Sequence, residues 1–144
     1  MAIDMNGDMT VINRAYEDGV PCLLGTADPD GNPQISPKGS MMVYDATRLA
    51  YWERSHRTAI ANLKANPKVV VYYRNPAKTE QFPRGAVWRF YGTARVVADG
   101  AERDKVYERV IPAESEKDPD KAGAGVLITV DRITDLAGKV IQQA

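Results

Sequence analysis

The chain of 144 residues carries 19 basic and 19 acidic side chains, so its formal net charge is zero. This length supports one hydrophobic core, and we expect a single domain over residues 1–144. The charge balance argues against binding of the whole molecule to nucleic acid or to an anionic membrane.

The N-terminal segment and the cysteine content bear on the compartment. The first eight residues include acidic side chains and lack the cationic and apolar regions of a secretory signal, and no later apolar run approaches a membrane span. Cys22 is the only cysteine and lies in an apolar run, so a buried free thiol is expected rather than a disulfide. We expect a soluble protein of the reducing cytoplasm.

The N-terminal half is predicted to contain two helices and four strands. Val11, Ile12 and Ala15 have helical spacing after Thr10, a possible capping residue. The turn Asp28-Pro29-Asp30-Gly31 separates two apolar runs, which predicts a β-hairpin. The predicted helices span residues 10–18 and 55–65, and the predicted strands span residues 22–27, 34–36, 48–53 and 68–74.

The second hairpin strand runs into the segment Ser36-Pro37-Lys38-Gly39-Ser40. Proline cannot donate a ladder hydrogen bond and glycine is flexible, so regular pairing is expected to be interrupted there. An interrupted strand can direct backbone groups, and the amine of Lys38, at the edge of a planar heterocycle. The alternative interpretation is a proline–glycine bulge with an exposed lysine.

The C-terminal half predicts two surface loops, a long strand, a helix and a final strand. Alternation in the long strand places Trp88, Phe90, Ala94 and Val96 on the core face. The predicted bounds are 75–85 for the first loop, 86–97 for the long strand, 101–111 for the helix, 112–123 for a charged, mobile loop and 126–130 for the last strand. Short β-segments without regular β-α-β alternation predict a mainly β fold, an antiparallel barrel with accessory short helices.

The start of the second helix, Ser55-His56-Arg57-Thr58, is the first candidate binding site. Free amides and the helix dipole attract an anion there, and Arg57, Thr58 and Asn62 supply polar side chains. An ordinary N-capped helix with Arg57 in solvent is an equal alternative.

Other chemical signals in the sequence are weaker. Trp52 and Trp88 could stack on a ring, but an aromatic residue within an alternating strand is more often part of the core. His56, the only histidine, has no cluster of potential ligands around it, so no metal site is expected. The sequence also lacks a nucleophile elbow, a P-loop and a Rossmann glycine motif.

Three segments, residues 34–39, 49–59 and 62–69, resemble the pyridoxamine 5′-phosphate oxidase-like superfamily of FMN-binding split barrels, and the resemblance extends over about residues 10–97. It implies an antiparallel split β-barrel that binds flavin mononucleotide (FMN). It implies contacts of the strand from Gln34 to Lys38 with the ring and ribityl chain, of Trp52 and Glu53 along the cofactor, and of Arg57 with the phosphate. The full predicted cofactor-binding set is Ser36, Pro37, Lys38, Gly39, Ser40, Trp52, Glu53, Ser55, Arg57, Thr58, Asn62 and Trp88.

The resemblance also implies a homodimer with FMN at the subunit interface, to which Trp88 of the second chain could contribute. Thr58 replaces the lysine that follows the family's arginine, which removes one cation. The C-terminal arginine and histidine that bind substrate in true pyridoxamine phosphate oxidases have no counterpart, so oxidation of vitamin B6 is not expected.

The leading hypothesis is an FMN-dependent oxidoreductase of unknown small-molecule substrate, with hydride transfer through flavin N5 and no assigned catalytic residue. A flavin-binding or stress-response module without turnover, and a reductase using the deazaflavin F420, are the alternatives.

Overall fold

Strands dominate the computed structural model, which describes residues 1–54 and 58–144. The strands are β1 (Cys22–Ala27), β2 (Pro33–Lys38), β3 (Met42–Val43), β4 (Arg48–Glu53), β5 (Lys68–Asn75), β6 (Ala86–Val97), β7 (Ala124–Thr134) and β8 (Val140–Gln143). The helices are a 3₁₀ helix (Asp8–Arg14), α1 (Thr58–Ala65), α2 (Gly100–Arg109) and α3 (Pro112–Ser115).

All eight strands belong to one curled antiparallel sheet. Its main path runs β2-β1-β5-β6-β7-β4-β3, and β8 pairs with β7 beside this path. With short helices packed on the sheet, this is the mainly β, split-barrel architecture that the sequence predicts.

The β1–β2 hairpin follows the predicted turn. The carboxylate of Asp28 accepts hydrogen bonds from the backbone N–H groups of Asp30 and Asn32, and Gly31 adopts a φ of 86° that favours glycine. The predicted break at Pro37 is shifted, because pairing continues through Lys38, opposite Cys22. An edge strand tolerates a proline that lacks an N–H group, so the break comes only after β2 ends.

Two groups of buried side chains pack against the sheet. The main core packs against one face of the sheet and includes Leu49, Tyr51 and Phe90, whereas a second cluster joins Ala50 and Trp52 of β4 to Val106 of α2. Strand β4 is therefore covered on both faces, which accounts for its nearly uninterrupted run of buried residues.

One close backbone approach explains a glycine in the middle of β6. A Cβ atom on Gly92 would overlap the carbonyl of Thr129, and the register shifts beside Gly92 where β6 pairs with β7. A glycine is thus required where the backbones of the two longest strands leave no room for a side chain.

Several predicted elements differ from those in the structure. The first helix is a 3₁₀ helix that begins at Asp8, and Thr10 lies within it, donating its hydroxyl hydrogen to the carbonyl of Gly7. The predicted loop 112–123 contains α3, and β8 was not predicted. Val97 is buried against the second cluster, so the wetter face of β6 is covered at this end.

Candidate functional site

A cleft of about 520 Å³ lies where β2 and β4 end. Six of the predicted cofactor-binding residues line it, namely Pro37, Lys38, Gly39, Ser40, Trp52 and Glu53. We call this feature the β2–β4 cleft. Ser36 lies one residue further back in β2, opposite Leu24, and does not line it.

Lys38 and Glu53 form an ion pair at the wall of this cleft. The Lys38 Nζ atom lies 2.8 Å and 3.3 Å from the two carboxylate oxygens, and the side chains are only 15% and 4% exposed. A pair so shielded from water is held firmly, because removing one partner leaves a buried charge at a cost of about 3–5 kcal/mol. The amine of Lys38 is therefore compensated by Glu53, and its low exposure does not fit the alternative interpretation of an exposed lysine.

The tyrosine beneath this pair is neutral. The Lys38 ammonium lies 5.5 Å from the centre of the Tyr51 ring. Burial, and secondarily the Glu53 charge, raise the pKa of the Tyr51 hydroxyl above its ordinary value. Tyr51 therefore contributes a cation-binding ring to the site and no additional charge.

Ser40 fastens the turn after β2 to β4. Its hydroxyl accepts a hydrogen bond from the Trp52 backbone N–H at 3.0 Å and donates to the Trp52 carbonyl at 3.3 Å. The side chain is buried. Because its hydroxyl is engaged within the protein, Ser40 shapes the cleft through its backbone.

The Trp52 ring is packed into the second core cluster. Its indole N–H donates to Asp118 at 2.8 Å, and the rings of Trp52 and Tyr107 meet edge to face at 4.9 Å. The Arg103 guanidinium lies 5.0 Å from the ring centre. The ring is therefore a structural anchor at the edge of the cleft and has little surface left for stacking.

Trp88 lies in the main core, away from the cleft. It stacks on Tyr73 at 5.7 Å and contacts Phe82 and Phe90 edge to face. Since 9% of Trp88 is exposed, the expected contribution of this ring to a second chain's cofactor has no support in the geometry. In this structure Trp88 is part of the core, as the alternation of apolar residues along its strand also suggested.

The anion site predicted at the helix start falls only partly within the described residues. Ser55 and Arg57, with His56 between them, lie outside these residues. Thr58 begins α1 and is exposed, whereas Asn62 is buried one turn later and its amide contacts Gln34 of β2 at 3.5 Å. Asn62 thus ties α1 to the strand that ends at the cleft.

The far wall of the cleft was missed by the sequence reasoning. It includes Tyr16, Glu114 and Lys117, with Arg54 at the rim. A Cβ atom on Gly39 would overlap the Glu114 carboxylate, so the absence of a side chain there admits α3 to the site. Pro112 at the first position of α3 is a typical helix-start signal that could have predicted this helix.

An apolar surface lies on the face of the sheet opposite the main core. It contains Leu23, Ile35, Val70, Tyr72 and Tyr91, and we call it the outer face. Ile35 is 71% exposed although it sits within a strand. Pro37 follows two residues later and borders the cleft, so the outer face and the β2–β4 cleft are continuous along β2.

Fold and cleft together define a class of protein, an antiparallel split β-barrel with a polar cleft at the ends of β2 and β4. A family model described as pyridoxamine 5′-phosphate oxidase matches residues 11–136, and the chain belongs to this family. None of the helices in residues 1–54 and 58–144 is long and apolar enough to cross a membrane.

Three of the solved structures that share this fold bear on the function. A variant of HupZ from Group A Streptococcus is 25% identical, covers 92% of this chain and 99% of its own, and has a TM-score of 0.64. An FMN-binding protein from Syntrophomonas wolfei is 16% identical, with coverages of 92% and 88% and a TM-score of 0.67. An F420 reductase is 22% identical, with coverages of 90% and 97% and a TM-score of 0.62. No curated protein matches the chain.

Proposed function

We propose that the protein binds FMN in the β2–β4 cleft and acts as a flavin-dependent oxidoreductase on a small molecule. The observation that carries this proposal is the convergence of six residues, predicted independently of the structure, on one cleft. Membership of the pyridoxamine 5′-phosphate oxidase family and the fold shared with an FMN-binding protein support it.

The chemistry of the cleft suits an anionic flavin. Lys38, Arg54 and Lys117 are its cations, against the carboxylates Glu53 and Glu114, so the described lining has a cationic excess. Arg57 follows Arg54 by three residues and, in this proposal, binds the phosphate. When bound, FMN supplies hydride transfer at its N5 atom, while the protein supplies position and electrostatics.

The outer face supports a homodimer with the cofactor between its subunits. Apolar side chains on an exposed sheet face are covered when a second copy packs against them. Because the outer face continues into the cleft along β2, a second chain there would also enclose part of the cofactor. In this proposal the protein is cytoplasmic, in agreement with the buried free thiol of Cys22, whose pKa burial raises to about 12.

A phosphate-dependent preference for FMN over riboflavin is the first test. Calorimetric titration of Arg57→Ala should show FMN affinity reduced by about 1.5–3 kcal/mol, the range for hydrogen bonds to charged groups, with riboflavin affinity unchanged. Arg84→Ala, which removes an exposed arginine from the β5–β6 loop, is the matched control. Equal FMN affinity in Arg57→Ala and the parent would refute the phosphate assignment.

F420 is the second candidate cofactor, because an F420 reductase shares the fold. Stopped-flow reduction of the FMN-loaded protein by NADH or NADPH, and parallel titration of the unloaded protein with F420, separate the possibilities. Rapid reduction of bound FMN is the expected result. Tight FMN binding without reduction by either donor would favour a flavin-binding module without turnover. Tighter binding of F420 than of FMN would identify F420 as the cofactor instead.

A further inference from the structure

A second polar depression lies between α2 and the turn that joins β3 to β4. Its volume is about 370 Å³, and we call it the Tyr44 groove. Its charged lining consists of Asp45, Arg48, Glu102, Lys105 and Arg109, none of which lines the β2–β4 cleft.

Three cations surround the buried ring of Tyr44. The charged groups of Arg109, Arg48 and Lys105 lie 4.4 Å, 5.1 Å and 5.7 Å from the ring centre. A ring that already carries these contacts is not free to stack on a planar ligand. The groove therefore suits a compact charged group better than a heterocycle.

Two of the three cations lack an acidic partner. Arg48 is paired with Asp45 at 2.6 Å and approaches Glu102 at 3.8 Å, and Glu102 also binds Arg95 at 2.8 Å. Within the described part of the chain, neither Lys105 nor Arg109 has a carboxylate at ion-pair distance. Their spacing of four residues places both charges on one side of α2, where like charges repel.

We propose that the Tyr44 groove is an oxyanion site that takes a phosphoryl group between Lys105 and Arg109. Two unpaired cations match the charge of a phosphate dianion, and the guanidinium fork of Arg109 matches its geometry. A purely structural interpretation assigns Arg109 to the negative end of the α2 dipole, where a basic residue is favourable. The dipole does not account for Lys105, which lies a full turn earlier and whose contact with the Tyr44 ring, at 5.7 Å, is the longest of the three.

Amide chemical shifts of the isotope-labelled protein provide the test, with inorganic phosphate as the probe at constant ionic strength. The amides of the β2–β4 cleft are followed in the same spectra, so that phosphate bound at the proposed flavin site is distinguished from phosphate bound at the groove. We expect saturable shifts at Tyr44, Asp45 and the amides of α2. Lys105→Met and Arg109→Met should each weaken phosphate binding by at least about tenfold.

Lys139→Met removes an exposed lysine outside the groove and should bind phosphate like the parent. Shifts scattered over the surface, or unchanged affinity in Lys105→Met, would overturn the proposal and leave these cations as packing groups for Tyr44. If acetate binds as tightly as phosphate, the assignment to a phosphoryl group is wrong. Because the shifts are read residue by residue, binding at the groove can be recognised even if the protein does not bind FMN.

Discussion

At the residue scale, the ion pair between Lys38 and Glu53 determines how much charge the cleft presents. From the sequence we expect the Lys38 amine at the edge of a planar heterocycle, and no partner for it is predicted. In the structure the carboxylate of Glu53 lies 2.8 Å from that amine, so the two side chains together are close to neutral. The electrostatic effect on a bound flavin then depends on both charges, and a substitution can remove either charge separately.

The midpoint potential of bound FMN should respond to each charge with opposite sign. Lys38→Met leaves Glu53 unpaired and should lower the potential, because negative charge near the ring disfavours the reduced, anionic form. Glu53→Gln leaves Lys38 unpaired and should raise it. The double variant should lie close to the parent, and redox titration at equal ionic strength measures all four proteins. An unchanged or raised potential in Lys38→Met would show that this lysine does not act on the flavin.

The contact between Gly39 and Glu114 should also be visible in stability. Gly39→Ala should destabilise the protein by about 1 kcal/mol, the low end of the cost of overpacking, because the Glu114 carboxylate can move aside whereas the new methyl group also meets the Tyr16 ring. Adding Glu114→Ala to this variant should recover part of the loss. Gly7→Ala, where no atom lies near the added carbon, is the control. Urea unfolding measures the series, and a loss no greater than that of Gly7→Ala would contradict the close contact.

At the scale of secondary-structure elements, local patterns predicted some strands fully. Strands β1, β4 and β6 have the predicted bounds, because their apolar runs are bordered by clear turn residues. Elements stabilised mainly by long-range pairing were missed. Strand β8 has only four residues and depends on β7, and α3 has a single turn.

The segment between α3 and β7 should be held in place by Asp118. Its carboxylate accepts hydrogen bonds from the Trp52 indole and from the backbone N–H groups of Ala122 and Gly123, all between 2.8 and 3.0 Å. Asp118→Ala removes these three hydrogen bonds and should cost about 1–3 kcal/mol of local stability. Hydrogen exchange at Ala122 and Gly123 should accelerate, whereas Asp120→Ala, at an exposed position, should leave it unchanged. Unaltered exchange in Asp118→Ala would mean that the segment is held by other contacts.

At the scale of the whole molecule, the sequence predicted part of the cleft and not its far wall. Residues 37–40 were predicted from the interrupted end of a strand, and residues 37, 38, 52 and 53 also from the resemblance to known flavin-binding strands. Glu114 and Lys117 reach the cleft only because α3 folds back over Gly39, a long-range contact that no local pattern encodes. The Trp52 ring was expected at the cofactor but is occupied by packing against α2, as happens to most strand aromatics.

The outer face should hold two copies of the chain together. Ile35→Lys places a charge on the most exposed side chain of this apolar surface and should convert a dimer into a monomer at micromolar concentration. Light scattering measures the mass, and Ala2→Lys, at an exposed N-terminal position, should leave it unchanged. A dimeric Ile35→Lys protein would place the interface elsewhere, and a monomeric parent that binds FMN tightly would contradict a shared site.

The most direct test of FMN binding in the β2–β4 cleft is a titration of the protein with FMN, followed through its backbone amide resonances. We predict saturable shifts concentrated at Lys38, Gly39, Ser40, Glu53 and Arg54, the residues at the ends of β2 and β4. Lack of binding, or saturable shifts elsewhere that leave these five amides unchanged, would contradict the proposed flavin site.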